Sequence, residues 1–450
     1  MGEEDDCSPG RPRTDPRWEF APAGPDLEGV TMTFDRRPSV DLAEPLSRAV
    51  AEQFIYESAL RESDIGPVGL EVETHLVDLA AVDERVPWAR VAAAVAAAAP
   101  QLRASALTVE PGGQIELSGT PTDGIAAAVA AMRHDEQRVR LVFADDDLGL
   151  AHLGTDPLRP PHRVNPRPRY RAMERHFSTT GHSDAGRTMM CATASVQVNL
   201  EAGPRTAWRE RVARAHRLGP TLSAIASCSR WLGGRDTGWA SARQHAWLSL
   251  DARTSGALTL SDDPAVDWLR FALAAPVLFA TTPDDEDTIT IARNVPFSAW
   301  LSGRVRLAGR QPTLDDLRIH LTTLFPPVRL RGYLELRYLD VSAPRWWPAV
   351  AAVATTLMDD PVAADLAAAA TEPVAGRWLD AARFGLHDGH IAAAARQCLS
   401  IAVDRAPAEL RLAVSDLADL VESGRSPGDV VAARIRQVGP RALLDEVAHA

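Results

Sequence analysis

The stretch GLEVETHLVDL, Gly69 to Leu79, decides how this chain is read. Leu70, Val72 and Leu76 fall on one side at a spacing of two, and Glu71, Glu73 and His75 fall on the other. Successive strand side chains point to opposite faces, so this segment is a strand with one apolar and one acidic face. The alternation returns three times. In QIELS (Gln114 to Ser118), Gln114, Glu116 and Ser118 oppose Ile115 and Leu117. In SVQVNLE (Ser195 to Glu201), Gln197, Asn199 and Glu201 oppose Val196, Val198 and Leu200. LELRYL (Leu334 to Leu339) sends Glu335 and Arg337 away from Leu334 and Leu336. Such strands belong to a sheet packed on one face and open to something polar on the other.

Helical periodicity fills the intervals. Leu42, Leu46, Val50, Phe54 and Leu60 predict a helix from Asp41 to Glu62, and similar patterns cover Thr122 to Asp145 and Ala207 to Ala226. PLRPPHRVNPRP, Pro157 to Pro168, reads as an irregular loop. The pattern predicts an α+β fold, with helices on one face of a largely antiparallel sheet, rather than a doubly wound one. Residues 1–38, rich in Pro, Gly, Asp and Arg without apolar period, read as a mobile tail. Residues 39–345 read as a catalytic domain, and the alanine-rich residues 346–450 as a helical part packed on it.

Composition limits the partners. With 48 basic and 60 acidic side chains the 450-residue chain carries a net charge of −12, so it lacks the basic balance that nucleic acid demands. It contains no lysine, which excludes Schiff-base chemistry, the P-loop lysine and the kinase strand lysine. The start, MGEEDDCSPG, is acidic where a secretory signal needs positive charge and an apolar run. The longest apolar runs, Val91 to Ala99 and Phe271 to Ala280, reach only about half a membrane span. Cys7, Cys191, Cys228 and Cys398 form no CxxC pair, against a structural zinc site or a disulfide framework. A cytoplasmic protein without membrane or nucleic-acid partner is expected; oligomeric state is not encoded in any of these features.

The polar faces carry the chemistry. Glu71, Glu73, Glu110, Glu116 and Glu335 on one partly desolvated surface would raise each other's pKa values and cost several kcal/mol. Arg337 offsets one charge, and divalent cations would offset the rest. Nearly all the donors are oxygens, which favours magnesium or manganese over zinc. Pro111, Gly112 and Gly113 form a tight turn beside Glu110, suited to close approach of a ligand to the backbone. His75, on the face of Glu71 and Glu73, reads first as a supporting group and second as a ligand.

Four motifs occur in order: GLEVE (69–73), VEPGGQIELSG (109–119), MMCATASVQVNLE (189–201) and HLTTLFPPVRLRGYLELR (320–337). Together they resemble the glutamate–cysteine ligases of the plant and bacterial carboxylate–amine ligase type. PRYRAMERHF (168–177) and FSAWLSG (297–303) resemble that family's connecting segments, so the similarity spans roughly residues 50–360. The alanine-rich C-terminus and the absence of lysine are most similar to its actinobacterial, ergothioneine-pathway branch. The resemblance implies a glutamine-synthetase-like curved antiparallel sheet forming a basin for ATP, Mg2+ and glutamate. It implies ATP-dependent joining of the L-glutamate γ-carboxylate to the L-cysteine amine through γ-glutamyl phosphate, with no nucleophile on the enzyme.

By this resemblance Glu71, Glu73, Glu116 and Glu335 ligate two or more magnesium ions, with Glu110 as ligand or close neighbour. Gln197, Asn199 and Arg331 would meet metal or nucleotide, Arg169, Arg243 and Gln114 the glutamate, and Arg337 or Arg331 the transferring phosphoryl group. Thr74 stands where the family often has lysine. Two alternatives share these residues: a ligase with another amine acceptor, and an inactive nucleotide- or metabolite-binding regulatory homologue.

Overall fold

A computed structural model describes residues 44–282 and 288–450; the tail expected over residues 1–38 lies outside them. Its strands are β1 (Pro67–Asp78), β2 (Ser105–Val109), β3 (Ile115–Gly119), β4 (Thr122–Asp123), β5 (Leu148–Ala151) and β6 (Ser195–Glu201), followed by β7 (Trp231–Leu232), β8 (Arg235–Asp236), β9 (Phe279–Thr281), β10 (Thr288–Thr290), β11 (Val328–Leu330) and β12 (Tyr333–Asp340). The main sheet runs β11-β12-β6-β1-β3-β2, with β4 and β5 also paired to β1. Every pairing is antiparallel, and the sheet is open, with β11 and β2 at its edges.

One face is the core. Leu70, Val72, Leu117, Val196, Val198, Leu200, Leu334 and Leu336 are all buried. The helices Ile125–Ala144, Trp208–Ala226 and Trp347–Asp359 cover that face. In the last of these, small side chains of WPAVAAVATTLM let every residue from Trp347 to Met358 be buried. Each buried leucine or valine contributes about 1.5–3 kcal/mol. Leu70→Ala would cost about 2–5 kcal/mol by opening a cavity under the site. The C-terminal helices share one compact unit, Asp41–Ala450, with the sheet. The result is the expected α+β class.

Element ends differ from expectation for local reasons. The first helix is Arg48–Ala59, because Ser47 accepts the Val50 N–H and caps it there. β3 begins at Ile115, so Gln114 lies before the strand. Gly332, at φ +81°, turns β11 back onto β12 and sets Arg329 opposite Glu335. The register of β12 against β6 shifts between Leu336 and Leu339, a bulge that contains Arg337. Among the described residues no helix is long and apolar enough to cross a membrane.

Candidate active site

Strand register assembles the site. Glu335 on β12 lies opposite Asn199 on β6. Gln197 lies opposite Glu71 on β1, which lies opposite Ser118 on β3. Glu73 faces Glu116, and Glu116 faces Thr108 on β2. Directly opposed side chains stand about 4.5–5.5 Å apart at Cβ. Carboxylates from three different strands therefore share the face opposite the core.

Polar neighbours orient them. Asn199 Nδ2 donates to Glu71 Oε1 at 3.2 Å. Glu73 accepts from the Ser195 backbone N–H at 2.7 Å and from Gln197 Nε2 at 3.2 Å. Glu116 Oε1 accepts from the hydroxyls of Thr108 (2.9 Å) and Ser118 (3.0 Å). Glu335, fully buried, is clasped by Arg329 through two bonds of 2.8 and 2.7 Å. Arg337 donates to both Glu335 and, at 2.6 Å, Gln197 Oε1, while Arg331 lies 3.6 Å from Glu335.

The carboxylates divide into two electrostatic groups. Burial, then the charges of Glu335 and Glu116, push Glu71 up to about 7. Burial and neighbouring carboxylates also raise Glu116 and, most strongly, Glu110. Glu73 is raised by burial against the opposing charges of Arg243 and Arg337. Burial would raise Glu335 too, but Arg329, Arg337 and Arg331 outweigh it and hold this carboxyl far below the usual range. Four acids are short of positive charge, and one has three cations around it.

Among the described residues no three His, Cys, Asp or Glu side chains already close on a single point where a metal ion could sit. The chemistry of the set nevertheless fits a hard cation. Glu71, Glu73, Glu110 and Glu116 present oxygen donors whose negative charge is under-compensated, and the buried Oδ1 of Asn199 has no hydrogen-bond partner among the described residues.

The remaining expected residues are distributed around this face. Arg169, on the helix Pro168–Thr179, acts on Glu110 and reaches the Thr322 hydroxyl at 3.4 Å. Arg243 is 2% exposed; among the described residues its Nε and Nη1 have no hydrogen-bond partner, and Nη1 stands 3.7 Å from Asp340. Gln114 turns away from the acidic face and donates to the carbonyls of Thr193 (2.9 Å) and Met190 (3.4 Å). His75 does not join the carboxylates, because β1 passes there from β3 to β5. It is buried, and that burial pushes its pKa down to about 3 despite nearby Asp156. The space beside Gly112 is taken by protein rather than left for a ligand: a Cβ there would lie 2.2 Å from the Cys191 carbonyl oxygen.

Sequence reasoning missed Arg329 and Asp340. The signal for Arg329 was present, since Arg329 and Arg331 alternate just before Gly332, and a hairpin there faces one of them to Glu335. Asp340 gave none, because it contacts residues more than ninety positions away.

The fold resembles that of a glutamate–cysteine ligase from Francisella tularensis solved in complex with AMP, with a TM-score of 0.51 and 13% identity over 86% of this chain and 88% of that one. The sequence model of glutamate–cysteine ligase family 2 matches residues 67–446, and the chain belongs to that family. It is 48% identical to the glutamate–cysteine ligase EgtA of Mycolicibacterium smegmatis, over 93% of this chain and 99% of that protein. The EgtA of Mycobacterium tuberculosis is 45% identical over 91% and 95%.

Proposed function

We propose that this chain is a magnesium-dependent glutamate–cysteine ligase of the cytoplasm, forming γ-glutamylcysteine for ergothioneine synthesis. The observation that carries the reading is the four under-compensated carboxylates of β1, β3 and the turn before β3, within a member of this family. The three described cysteines are free and buried, as suits a reducing compartment.

A carboxylate is a poor electrophile and must first be activated. An oxygen of the glutamate γ-carboxylate attacks the γ-phosphorus of ATP, and ADP leaves. The cysteine nitrogen then attacks the γ-carbonyl carbon, the carbon–oxygen bond to phosphate breaks, and the nitrogen loses a proton. Magnesium held by Glu71, Glu73, Glu110 and Glu116, with Asn199 beside them, would neutralise phosphate oxygens. Glu335 sits at the edge of that set, where its clasp also orients Arg337.

The chain's own groups position and shield charge. Arg337 and Arg331 present planar guanidinium groups to the transferring phosphoryl group. Gln197 and Asn199 meet the nucleotide. Arg243 and Arg169 hold glutamate carboxylates, while Gln114 shapes that subsite through the backbone it fixes. Catalysis is by positioning and charge stabilisation.

Hydroxylamine trapping tests this reading. With ATP, magnesium and glutamate, γ-glutamyl hydroxamate is expected; its absence would leave the inactive binding homologue. ADP release with cysteine, serine and 2-aminobutyrate tests the acceptor, and a strong preference for an unrelated amine would reject cysteine.

A further inference from the structure

The proline-rich stretch PLRPPHRVNPRP, residues 157–168, runs between β5 and the helix Pro168–Thr179, and Asn165 within it is 1% exposed. All four polar groups of Asn165 are engaged. Its Nδ2 donates to the Val109 carbonyl at 2.9 Å, and its backbone N–H donates to the Pro111 carbonyl, also at 2.9 Å. Val109 and Pro111 are the residues on either side of Glu110, so one asparagine holds the chain before and after that carboxylate. The Val164 N–H reaches the same Pro111 oxygen at 2.8 Å.

The other two groups point to the helix that carries Arg169. Asn165 Oδ1 accepts the Arg167 N–H at 3.2 Å, and its carbonyl accepts Arg163 Nη1 at 3.0 Å. Arg163 Nε donates in turn to Glu174 of that helix at 2.8 Å. An amide suits this place because the Val109 carbonyl needs an N–H and the Arg167 N–H needs an oxygen, both within reach of one short side chain. Acceptance from the N–H two residues on is the turn that asparagine favours. Across this bracket the Arg169 charge acts on the Glu110 carboxyl.

We propose that Asn165 is a positioning residue for the ligase reaction: it locks the Glu110 turn to the helix of Arg169 and so sets the magnesium site against the bound glutamate. This rests on the ligase reading, in which Glu110 faces magnesium and Arg169 a glutamate carboxylate. The γ-carboxylate and the γ-phosphate must meet at bonding distance, and a misplacement of about 1 Å can cost about 100-fold in rate.

Two variants separate the arms. Asn165→Ser keeps an oxygen able to accept the Arg167 N–H but is too short to reach Val109, and Asn165→Ala keeps neither. Magnesium alone is titrated by thermal shift, and glutamate by its KM in hydroxamate formation. Asn165→Ser is expected to raise the half-maximal magnesium concentration at least about tenfold, with KM for glutamate within about threefold. Asn165→Ala should raise both at least about tenfold, while KM for cysteine stays within about threefold in each variant. A rise in KM for cysteine as large as the other two would mark a general loosening of the fold and overturn the proposal. An unchanged magnesium constant in Asn165→Ser, the milder change, would overturn it whether or not Asn165→Ala folds. Wild-type protein that forms no hydroxamate would refute the ligase reading and this role with it, whereas an active wild type matched by its variants would refute the role of Asn165 alone.

Discussion

Arg243 Nη2 donates to the backbone carbonyl oxygen of Arg337 at 2.7 Å, at the point where β12 bulges away from β6. The Arg337 N–H bonds the Pro327 carbonyl at 2.9 Å. Arg243 is held in turn by Asp340, 3.7 Å away and itself buried. Asp340 accepts from the Cys228 N–H and from the hydroxyls of Ser229 and Ser241. A buried network around Asp340 thus fixes the backbone from which Arg337 reaches the acidic face.

Arg243→Ala should lower kcat about 100-fold by releasing that backbone and removing a donor to substrate. It also leaves Asp340 buried without its cation, at a cost of about 3 kcal/mol. Arg243→Lys should recover more of the stability than of the kcat, because lysine lacks the fork geometry. ADP release and urea unfolding measure the two, and equal recovery of both would contradict this division.

Glu71→Gln and Glu116→Gln should each reduce turnover by about 1000-fold or more while the metal-free protein stays folded. Each change removes a charge that its neighbours repel, so unfolding free energy should hold or rise by about 1 kcal/mol. Full turnover in both variants would remove these residues from the ligand set.

The same substitution at Glu335 should behave oppositely. Glu335→Gln leaves the Arg329, Arg331 and Arg337 guanidiniums without their shared anion in a buried site, and should cost about 3–5 kcal/mol. Calorimetric melting of Glu335→Gln beside Glu71→Gln checks the contrast. Equal melting temperatures would show that the arginine clasp contributes nothing.

Magnesium should raise the melting temperature of the wild-type protein, with about 2.7 kcal/mol of stabilisation at a hundredfold excess over Kd. The Glu71→Gln/Glu116→Gln double variant should show little of this rise, and chelation should stop hydroxamate formation. A full thermal shift in the double variant would place the ion elsewhere.

His320 gives a pH dependence away from the site. Burial pushes its pKa down to about 4, while Nε2 bonds the Ala272 carbonyl at 2.9 Å and the ring stacks on Phe297. A depressed histidine binds its proton more weakly when folded than when unfolded. Its contribution is therefore complete above pH 6.5 and fades as pH falls toward 4, by about 3 kcal/mol in all. Urea unfolding at pH 7 and pH 5 should show a steeper loss in the wild type than in His320→Gln; parallel losses would refute the assignment.

Much of the sheet could be read from the residues, because period-two alternation is a property of neighbours in the chain. β6 was expected at Ser195–Glu201 and is found there, and β1 and β12 differ from expectation by one or two residues at each end. Less of the site was legible. His75 has the alternation of a basin residue, yet a change of partner strand encloses it. The glycine turn after Glu110 looked open to a ligand, but the Cys191 backbone occupies that space. Both outcomes depend on segments far apart in sequence.

The sequence by itself determined which side chains lie on the wet face of each strand and supplied the ordered motifs of the family. Only the tertiary structure decided how their charges combine. Coulombic energy follows distance across strands, and that distance is set by register. Register and the Gly332 turn placed Arg329 opposite Glu335, while Glu73 met another acid, Glu116. Chemically identical side chains, all glutamates, thereby became one anion clasped by three cations and four whose burial outweighs the cations near them.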